Sequence, residues 1–490
     1  MPEPDYDVIV AGGGMAGLIT AASIAVFSKQ NFRILVVDRN LESEPGKKTG
    51  SGWICGDAVS KNSVDYLSQN TGITYGKPEL EHNVEGIYVY SPDHRTKVLF
   101  EGKGYILNRK LLPRRQVEDA KKRGVEFQHG VFLERLISND GWVSGVVGRM
   151  KSGEVFKKTA RMVVDATGSV SLLRMNLPVK SKIQREIDKD DLESTGRYIY
   201  EFERGGDDPS YFDPKYAIIH LDQYLAPGGY AWTFPKGENK VNVGLGYQKR
   251  ALDQRNKTFG KSQGLQELID EYVASNPVIK NPRLSTSEAD RGNEKGNWQV
   301  PVRRPNDCMV ANGYALVGDA AWMPRPIDAG GIGPSIYGSV ILGRCVAEAL
   351  ESNDVSENGL WKYNVEYMRH YGFRMASFEV LRRYLQTLPN SDIDFGMRYF
   401  LSEEDIALIT RREHPRFRNV DLLNPSFIRR VLEKPTLARG LKYTSDKSER
   451  LIAHNQEYPE KPELFESWQK KLLAELQETY SKFGLVKQFE

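Results

Sequence analysis

Residues 7 to 38 open with Asp7-Val8-Ile9-Val10-Ala11 and turn through Gly12-Gly13-Gly14-Met15-Ala16-Gly17. An alanine-rich run follows to about Lys29, then the apolar stretch Arg33 to Val37, and then Asp38. Strand, GxGxxG turn, helix, strand and acid at this spacing predict a dinucleotide-binding unit. Gly12 permits the tight turn, Gly14 lets the backbone approach a pyrophosphate, and Gly17 lets helix and sheet pack closely. Amides around Ala16, at the helix N-terminus, receive the phosphate charge. Asp38 is placed to accept hydrogen bonds from the adenosine ribose.

The 490 residues are 40% hydrophobic and 27% charged, which fits a globular protein of two or three domains. A net charge of +3 is too mild to argue for nucleic acid, and no recognition motif for one is present. The longest apolar stretch, Gly12 to Phe27, is too short for a bilayer span and is already explained by the first helix. A strand beginning by Tyr6 leaves no room for a signal or transit peptide, so residence in the cytoplasm is expected. The three cysteines, Cys55, Cys308 and Cys345, form no CxxC or Cys/His cluster, so no metal site is expected. A disulfide between Cys308 and Cys345 and two buried free thiols are both open readings.

Two later segments decide which dinucleotide is expected. Met162 to Gly168 (MVVDATG) reads as a buried strand ending in a small-residue turn. Tyr314 to Ala321 (YALVGDAA) reads as another, reaching Gly318-Asp319, with Gly330-Gly331-Ile332-Gly333 opening a helix through about Leu350. These segments resemble the flavin-contacting motifs of the para-hydroxybenzoate hydroxylase-like flavoproteins. That resemblance implies FAD as cofactor, with Asp319 on the ribityl chain and Gly330 to Gly333 aiming amides at the flavin. Arg109 and Gly168 match further FAD-contacting positions. Negative charge on a reduced flavin suits a helix N-terminus.

The same scaffold hosts hydroxylation, halogenation and reduction, so the substrate segment decides the function. Residues 227 to 235 read PGGYAWTFP and lead into Asn242-Val243-Gly244-Leu245-Gly246. Tyr230, Trp232 and Phe234 alternate with small residues at the period of a strand, so their rings should project from one sheet face. A core layer under a helix would read the same way. The pattern P-x-x-Y-x-W-x-F-P followed by N-V-G-x-G is similar to the signature of the geranylgeranyl reductase family, and Trp53-Ile54-Cys55-Gly56 resembles its Cys-Gly loop near the isoalloxazine ring.

The resemblance covers about residues 5 to 350 and implies an α/β (α+β) architecture. A Rossmann-like FAD-binding domain (1–85, 105–178 and 296–355) would carry an inserted antiparallel-sheet substrate domain (86–104 and 179–295). A C-terminal helical region (356–490) would follow. The implied activity is saturation of isolated C=C bonds in geranylgeranyl chains of membrane-lipid precursors. Trp53, Ile54 and Gly56 would contact cofactor, and Tyr230, Trp232, Phe234 and Tyr337 would contact substrate. An unpolarised alkene cannot accept hydride alone, because the carbanion opposite is unstabilised. Cys55 is therefore expected to take part in proton donation, and packing as a small hydrophobe under the ring is its other reading.

Geranylgeranyl diphosphate and geranylgeranylated glycerophospholipids are the expected substrates. No second GxGxxG unit is present, but hydroxylases of the resembled fold bind NADPH without one, so ferredoxin, a reduced flavin and NAD(P)H all stand as expected electron donors. Three other functions share these motifs: a flavin monooxygenase, a flavin-dependent halogenase, and an isoprenoid carrier or sensor without turnover. The loop from Arg39 to Ile54 and the C-terminal portion both run longer than the family pattern. Phe378 to Leu388 alternates apolar and charged residues, suggesting amphipathic helices. Arg411 to Lys442 holds nine Lys or Arg against three Asp or Glu. That stretch reads either as a peripheral contact with the inner face of the cell membrane or as a solvated helix face.

Overall fold

The computed structural model describes residues 3–44, 55–401 and 425–483. The first βαβ unit forms as read: strands Tyr6–Ala11 and Ile34–Asp38 flank the helix Met15–Phe27. The two strands pair in parallel, Val8 opposite Ile34, and Tyr6–Ala11 pairs in parallel on its other side with Val155–Asp165. Val8, Ile9, Val10 and Ala11 are all fully buried, which is the pattern of a central strand covered on both faces.

Tyr314–Leu316 extends this sheet beyond Val155–Asp165, and Glu126–His129 extends it beyond Ile34–Asp38. An antiparallel meander of Val131–Asn139 and Trp142–Met150 attaches through Val155–Asp165. The expected strand Tyr314 to Ala321 stops at Leu316, and Gly318–Ala321 forms a 3-10 turn instead.

The helix Met15–Phe27 is buried nearly all round because it lies against both the sheet and the long helix Ile332–Glu351. The two helices cross closely: a Cβ at Gly343 would stand 2.4 Å from that of Ser23.

The second sheet has nine strands and is mainly antiparallel. Its order runs Ile279–Leu284, Leu192–Arg204, Lys240–Gln248, Tyr230–Pro235, Tyr216–His220, Leu80–Tyr90, Lys97–Leu107, Ala58–Ser60, with Lys295–Pro301 also paired to Leu192–Arg204. Its strands run past the 86–104 and 179–295 segments expected from the sequence.

Its two faces separate by residue alternation. Ala231, Val241, Val243 and Leu245 pack with Leu268 and Ile269 of the helix Leu265–Ser275. Trp232 and Phe234 face the other way, with Val84, Ile106 and Tyr230. Thr233, between those rings, hydrogen-bonds Tyr272 on the helix side at 2.9 Å.

Beyond residue 356 every described element is helical or 3-10. The stretch Phe378 to Leu388, expected to form an amphipathic helix, falls mostly within the helix Met375–Leu385, whose charged Glu379, Arg382 and Arg383 are buried along with its apolar residues. Arg383 and Arg382 both bond Asp191, and Glu379 bonds Arg304. Charges are retained in that interior because each one is paired. No helix among the described residues is long and apolar enough to cross a membrane. All three cysteines are free, so Cys308 and Cys345 are buried thiols rather than a disulfide.

One of the tightest constraints in the fold is at Gly17, where a Cβ would stand 2.0 Å from the Gly12 carbonyl oxygen. Gly17→Ala should therefore lower unfolding stability by roughly 1–3 kcal/mol through overpacking, measured by urea denaturation.

Candidate active site

One cavity of about 340 Å3 opens between the two sheets, at the carboxyl ends of the parallel strands. It gathers residues far apart in the chain: Gly12, Gly14, Ala16 and Asp38; Cys55 and Gly56; Arg109; Gly168; Asp319, Gly331 and Ile332; and Tyr230, Trp232 and Phe234.

Two helices begin in its wall. Neither Met15–Phe27 nor Ile332–Glu351 has a side-chain N-cap or an acidic residue in its first turn. Both N-termini therefore offer uncompensated amides and positive dipole ends to an anionic ligand. Gly12 adopts φ +105°, and a Cβ there would stand 2.4 Å from the Ala166 carbonyl oxygen. Around Gly14 nothing lies within 4 Å of where a Cβ would be, which is the open approach a pyrophosphate needs. The Asp38 carboxylate accepts from the Gly13 amide at 2.5 Å and the Asn40 amide at 2.7 Å, stiffening the turn. These features fit a dinucleotide.

Three expected cofactor residues act as spacers rather than lining. A Cβ at Gly318 would press on Ala16 at 2.7 Å, at Gly333 on the Ser63 hydroxyl at 2.9 Å, and at Gly330 on the Arg325 guanidinium at 2.8 Å. Gly17 belongs with them, under the first turn. Burial pushes the Asp319 carboxyl up to about 6, against the opposing pull of Arg109. Trp53 and Ile54 lie outside the described residues. Tyr337 does not line the cavity: its ring packs between Tyr66, at 4.3 Å between centroids, and Tyr371, at 5.2 Å. The helical turn that carries Tyr337 faces other helices, so its substrate contact is not borne out by its position.

The aromatic wall is built as the alternation predicts. Ring centroids of Tyr230 and Trp232 lie 6.0 Å apart, and those of Trp232 and Phe234 lie 6.1 Å apart. The glycines of the N-V-G-x-G segment clear space for it. A Cβ at Gly244 would stand 2.6 Å from Trp232, and one at Gly56 would stand 2.9 Å from Phe234. The Cys-Gly pair and the aromatic strand are thus two halves of one contact.

Asn242 ties them together: it accepts from the Trp232 indole at 2.9 Å and donates to the Cys55 carbonyl at 3.0 Å and to Asp57 at 2.7 Å. Arg197 also donates to the Cys55 carbonyl, at 3.2 Å. The Tyr230 hydroxyl donates to the Asp328 carbonyl at 2.6 Å, joining the wall to the loop before the second helix. Burial pushes the Cys55 thiol up, with Arg109 opposing, so it stays protonated at neutral pH.

Other lining residues escaped the sequence reading. Thr195, Trp298 and Val300 add a second strip to the wall, and Val131, Phe132 and Leu133 line the cavity together with Arg39. The period-two spacing of Trp298 and Val300 was a usable signal; nothing marked Phe132. Among the described residues no group of three or more His, Cys, Asp or Glu side chains could hold a metal.

The family model described as "Geranylgeranyl reductase catalytic domain" matches residues 192–281, which hold the aromatic strand and its glycine-rich partner. A digeranylgeranylglycerophospholipid reductase from Sulfolobus acidocaldarius is 32% identical over 96% of this chain and 97% of its own.

The chain belongs to the geranylgeranyl reductase family. Another member of the family, a digeranylgeranylglycerophospholipid reductase from Methanothrix thermoacetophila, is 27% identical over 83% of this chain and 94% of its own. Among solved structures, a geranylgeranyl bacteriochlorophyll reductase-like protein from Thermoplasma acidophilum matches with a TM-score of 0.68 at 22% identity, covering 90% of this chain and 99% of its own. A myxobacterial FAD-dependent halogenase matches with a TM-score of 0.61 at 18% identity, covering 92% and 97%. These structural likenesses show the shared fold.

Two outcomes test the geometry of this reductase-family site. Asn242→Leu leaves the buried Trp232 indole without its acceptor and takes one donor each from the Cys55 carbonyl and Asp57, and should cost roughly 1–3 kcal/mol of stability in a denaturant melt. Iodoacetamide should alkylate Cys55 more slowly than free cysteine at neutral pH, with a rate that climbs only at higher pH than for the free thiol. Peptide mapping of the labelled protein reads this out.

Proposed function

We propose that this protein is an FAD-dependent reductase that saturates isolated C=C bonds of geranylgeranyl chains in membrane-lipid precursors. The observation that carries the reading is the meeting of two open helix N-termini and a continuous aromatic wall in one cavity. Gly12, Gly14, Ala16, Asp38, Arg109, Gly168, Asp319, Gly331 and Ile332 would hold the FAD. When bound and reduced, FAD supplies a hydride.

The chain's own residues then have three tasks. Tyr230, Trp232 and Phe234 hold an apolar chain and exclude water; Trp232 and Phe234 are each only 6% exposed. Their ring faces favour the positive charge that develops on the more substituted alkene carbon, by about 1–2 kcal/mol in a dry site. The Tyr230 hydroxyl is engaged with a backbone carbonyl, so Tyr230 contributes its ring rather than a proton. Cys55, protonated and beside the wall, is one donor available to the other alkene carbon.

Geranylgeranyl diphosphate and a geranylgeranylated glycerophospholipid both offer the isoprene unit that such a wall accommodates, and a smooth apolar surface suits a substrate that slides between successive bonds. Electrons come to the cofactor from ferredoxin, a reduced flavin or NAD(P)H. The helix Pro425–Glu433 exposes Ile428 and Leu432 one turn apart, beside Arg429 and Arg430. That pairing of apolar and basic residues supports peripheral contact with an anionic bilayer.

Anaerobic incubation of the FAD-loaded protein with geranylgeranyl diphosphate and dithionite should give products heavier by two hydrogens per reduced bond. Lipid of unchanged mass would overturn the reading, as would oxygenated or halogenated products in a parallel incubation supplied with air, NADPH and halide. Trp232→Ala should lower kcat/KM by about tenfold, the factor that ~1.4 kcal/mol of lost wall contact predicts.

A further inference from the structure

Glu193 is the second residue of the strand Leu192–Arg204 and is 5% exposed. Among the described residues no ion pair engages it. Its side chain shares a sheet face with Thr195, two residues on, and Thr195 lines the cavity. In register, Thr195 stands opposite Gly246, Gly246 opposite Tyr230, and Glu193 opposite Val300; Thr195, Tyr230 and Val300 all line the cavity.

Gly246 is where the carboxyl reaches that row. A Cβ at Gly246 would stand 3.6 Å from Glu193 Oε2 and 3.1 Å from the Thr195 methyl. The Glu193 carboxyl thus stands in van der Waals reach of the space a Gly246 side chain would take, beside Thr195 and on the strand side facing Tyr230 in register. The other oxygen is held from behind: Gln386 donates from Nε2 to Glu193 Oε1 at 3.1 Å and to the Gly228 carbonyl at 2.6 Å.

The charged groups around the acid are committed elsewhere. Arg382 bonds Asp191 at 2.7 Å and the Asp190 carbonyl at 3.1 Å, and Arg383 also bonds Asp191. Asp190 is itself taken by Arg250 and by the Gln248 amide. On the cavity side stand Tyr230, bonded to Asp328, and Asp328, bonded to Arg325. Glu193 is left with a single neutral donor in a buried setting.

We propose that the Glu193 carboxyl is the proton store of this cavity, supplying from Oε2 the proton that an alkene takes up when it is reduced against the row of Tyr230 and Thr195. The inference rests on the prenyl-reductase reading. As the new C–H bond forms, the O–H bond at Oε2 breaks and its electron pair stays on the carboxylate. The neighbouring alkene carbon receives the hydride that the reduced cofactor supplies, and solvent reprotonates the acid.

Burial pushes the Glu193 carboxyl up to about 7, against the opposing charge of Arg382 and the Gln386 hydrogen bond. The acid therefore keeps a large protonated fraction up to about pH 7 while remaining a stronger donor than the Cys55 thiol, which burial pushes above an ordinary thiol. A carboxylic acid that meets both requirements is the better partner for an unpolarised alkene.

The test uses the full-length, FAD-loaded protein. Single-turnover oxidation of the reduced enzyme by geranylgeranyl diphosphate should be fast below about pH 7 and slow as pH rises through it. Glu193→Gln should abolish that fall and slow the step by about 100-fold with little change in substrate affinity. Gln386→Leu, which keeps the acid and removes its neutral donor, should move the midpoint to higher pH. Independently of turnover, pH-difference infrared spectra should show a carboxylic-acid C=O band that titrates near pH 7 and is missing in Glu193→Gln.

A Glu193→Gln enzyme with the wild-type rate and pH profile overturns the proposal, as does a band that titrates with ordinary carboxyls. If wild-type protein reduces no prenyl chain, the functional reading fails instead, and the infrared band still decides whether Glu193 stores a proton.

Discussion

The side chain of Asn242 has no exposure to solvent, and its polar atoms are engaged with three different partners. Its oxygen fixes the Trp232 indole; its nitrogen holds the Cys55 carbonyl and the Asp57 carboxylate. Buried polar groups of this kind are costly when unpaired and specific when satisfied. The aromatic wall, the Cys-Gly loop and the floor of the second sheet are therefore held in one arrangement. Gly56 and Gly244 complete it by omission, since a side chain at either position would collide with a ring of the wall.

Most of the fold was legible because its signals are local. The βαβ unit announces itself through fully buried strands and glycines whose spacing is set by close backbone approach, and the wall announces itself through strict alternation around Tyr230, Trp232 and Phe234. What stayed hidden depends on register between distant strands. Thr195, Trp298 and Val300 enter the cavity because Leu192–Arg204 pairs with both Lys240–Gln248 and Lys295–Pro301, a pairing that no single segment encodes. Tyr337 misled for the converse reason: it lies on the right helix, but on a turn that faces Tyr66 and Tyr371.

The C-terminal helices illustrate how the same residue types carry opposite meanings. Glu379, Arg382 and Arg383 look like a solvated face in sequence, yet all three are buried. They anchor Asp191 and Arg304 and so fix the entry of Leu192–Arg204 into the sheet. The Gln386 amide continues the same contact and holds both Glu193 and the Gly228 carbonyl. A region with no lining residue in the cavity thereby sets the position of a strand that has one.

The cavity draws on positions from Gly12 to Ser335, so no short segment of the chain contains it. Contacts of such large sequence separation form late in folding, after most of the loop-closure entropy has been lost. A ligand that occupies the cavity binds the complete fold and nothing short of it. By mass action it stabilises the native chain by RT ln(1 + [L]/Kd), about 2.7 kcal/mol at a hundredfold excess over Kd. A bound cofactor is thereby a part of the protein's stability as well as of its chemistry.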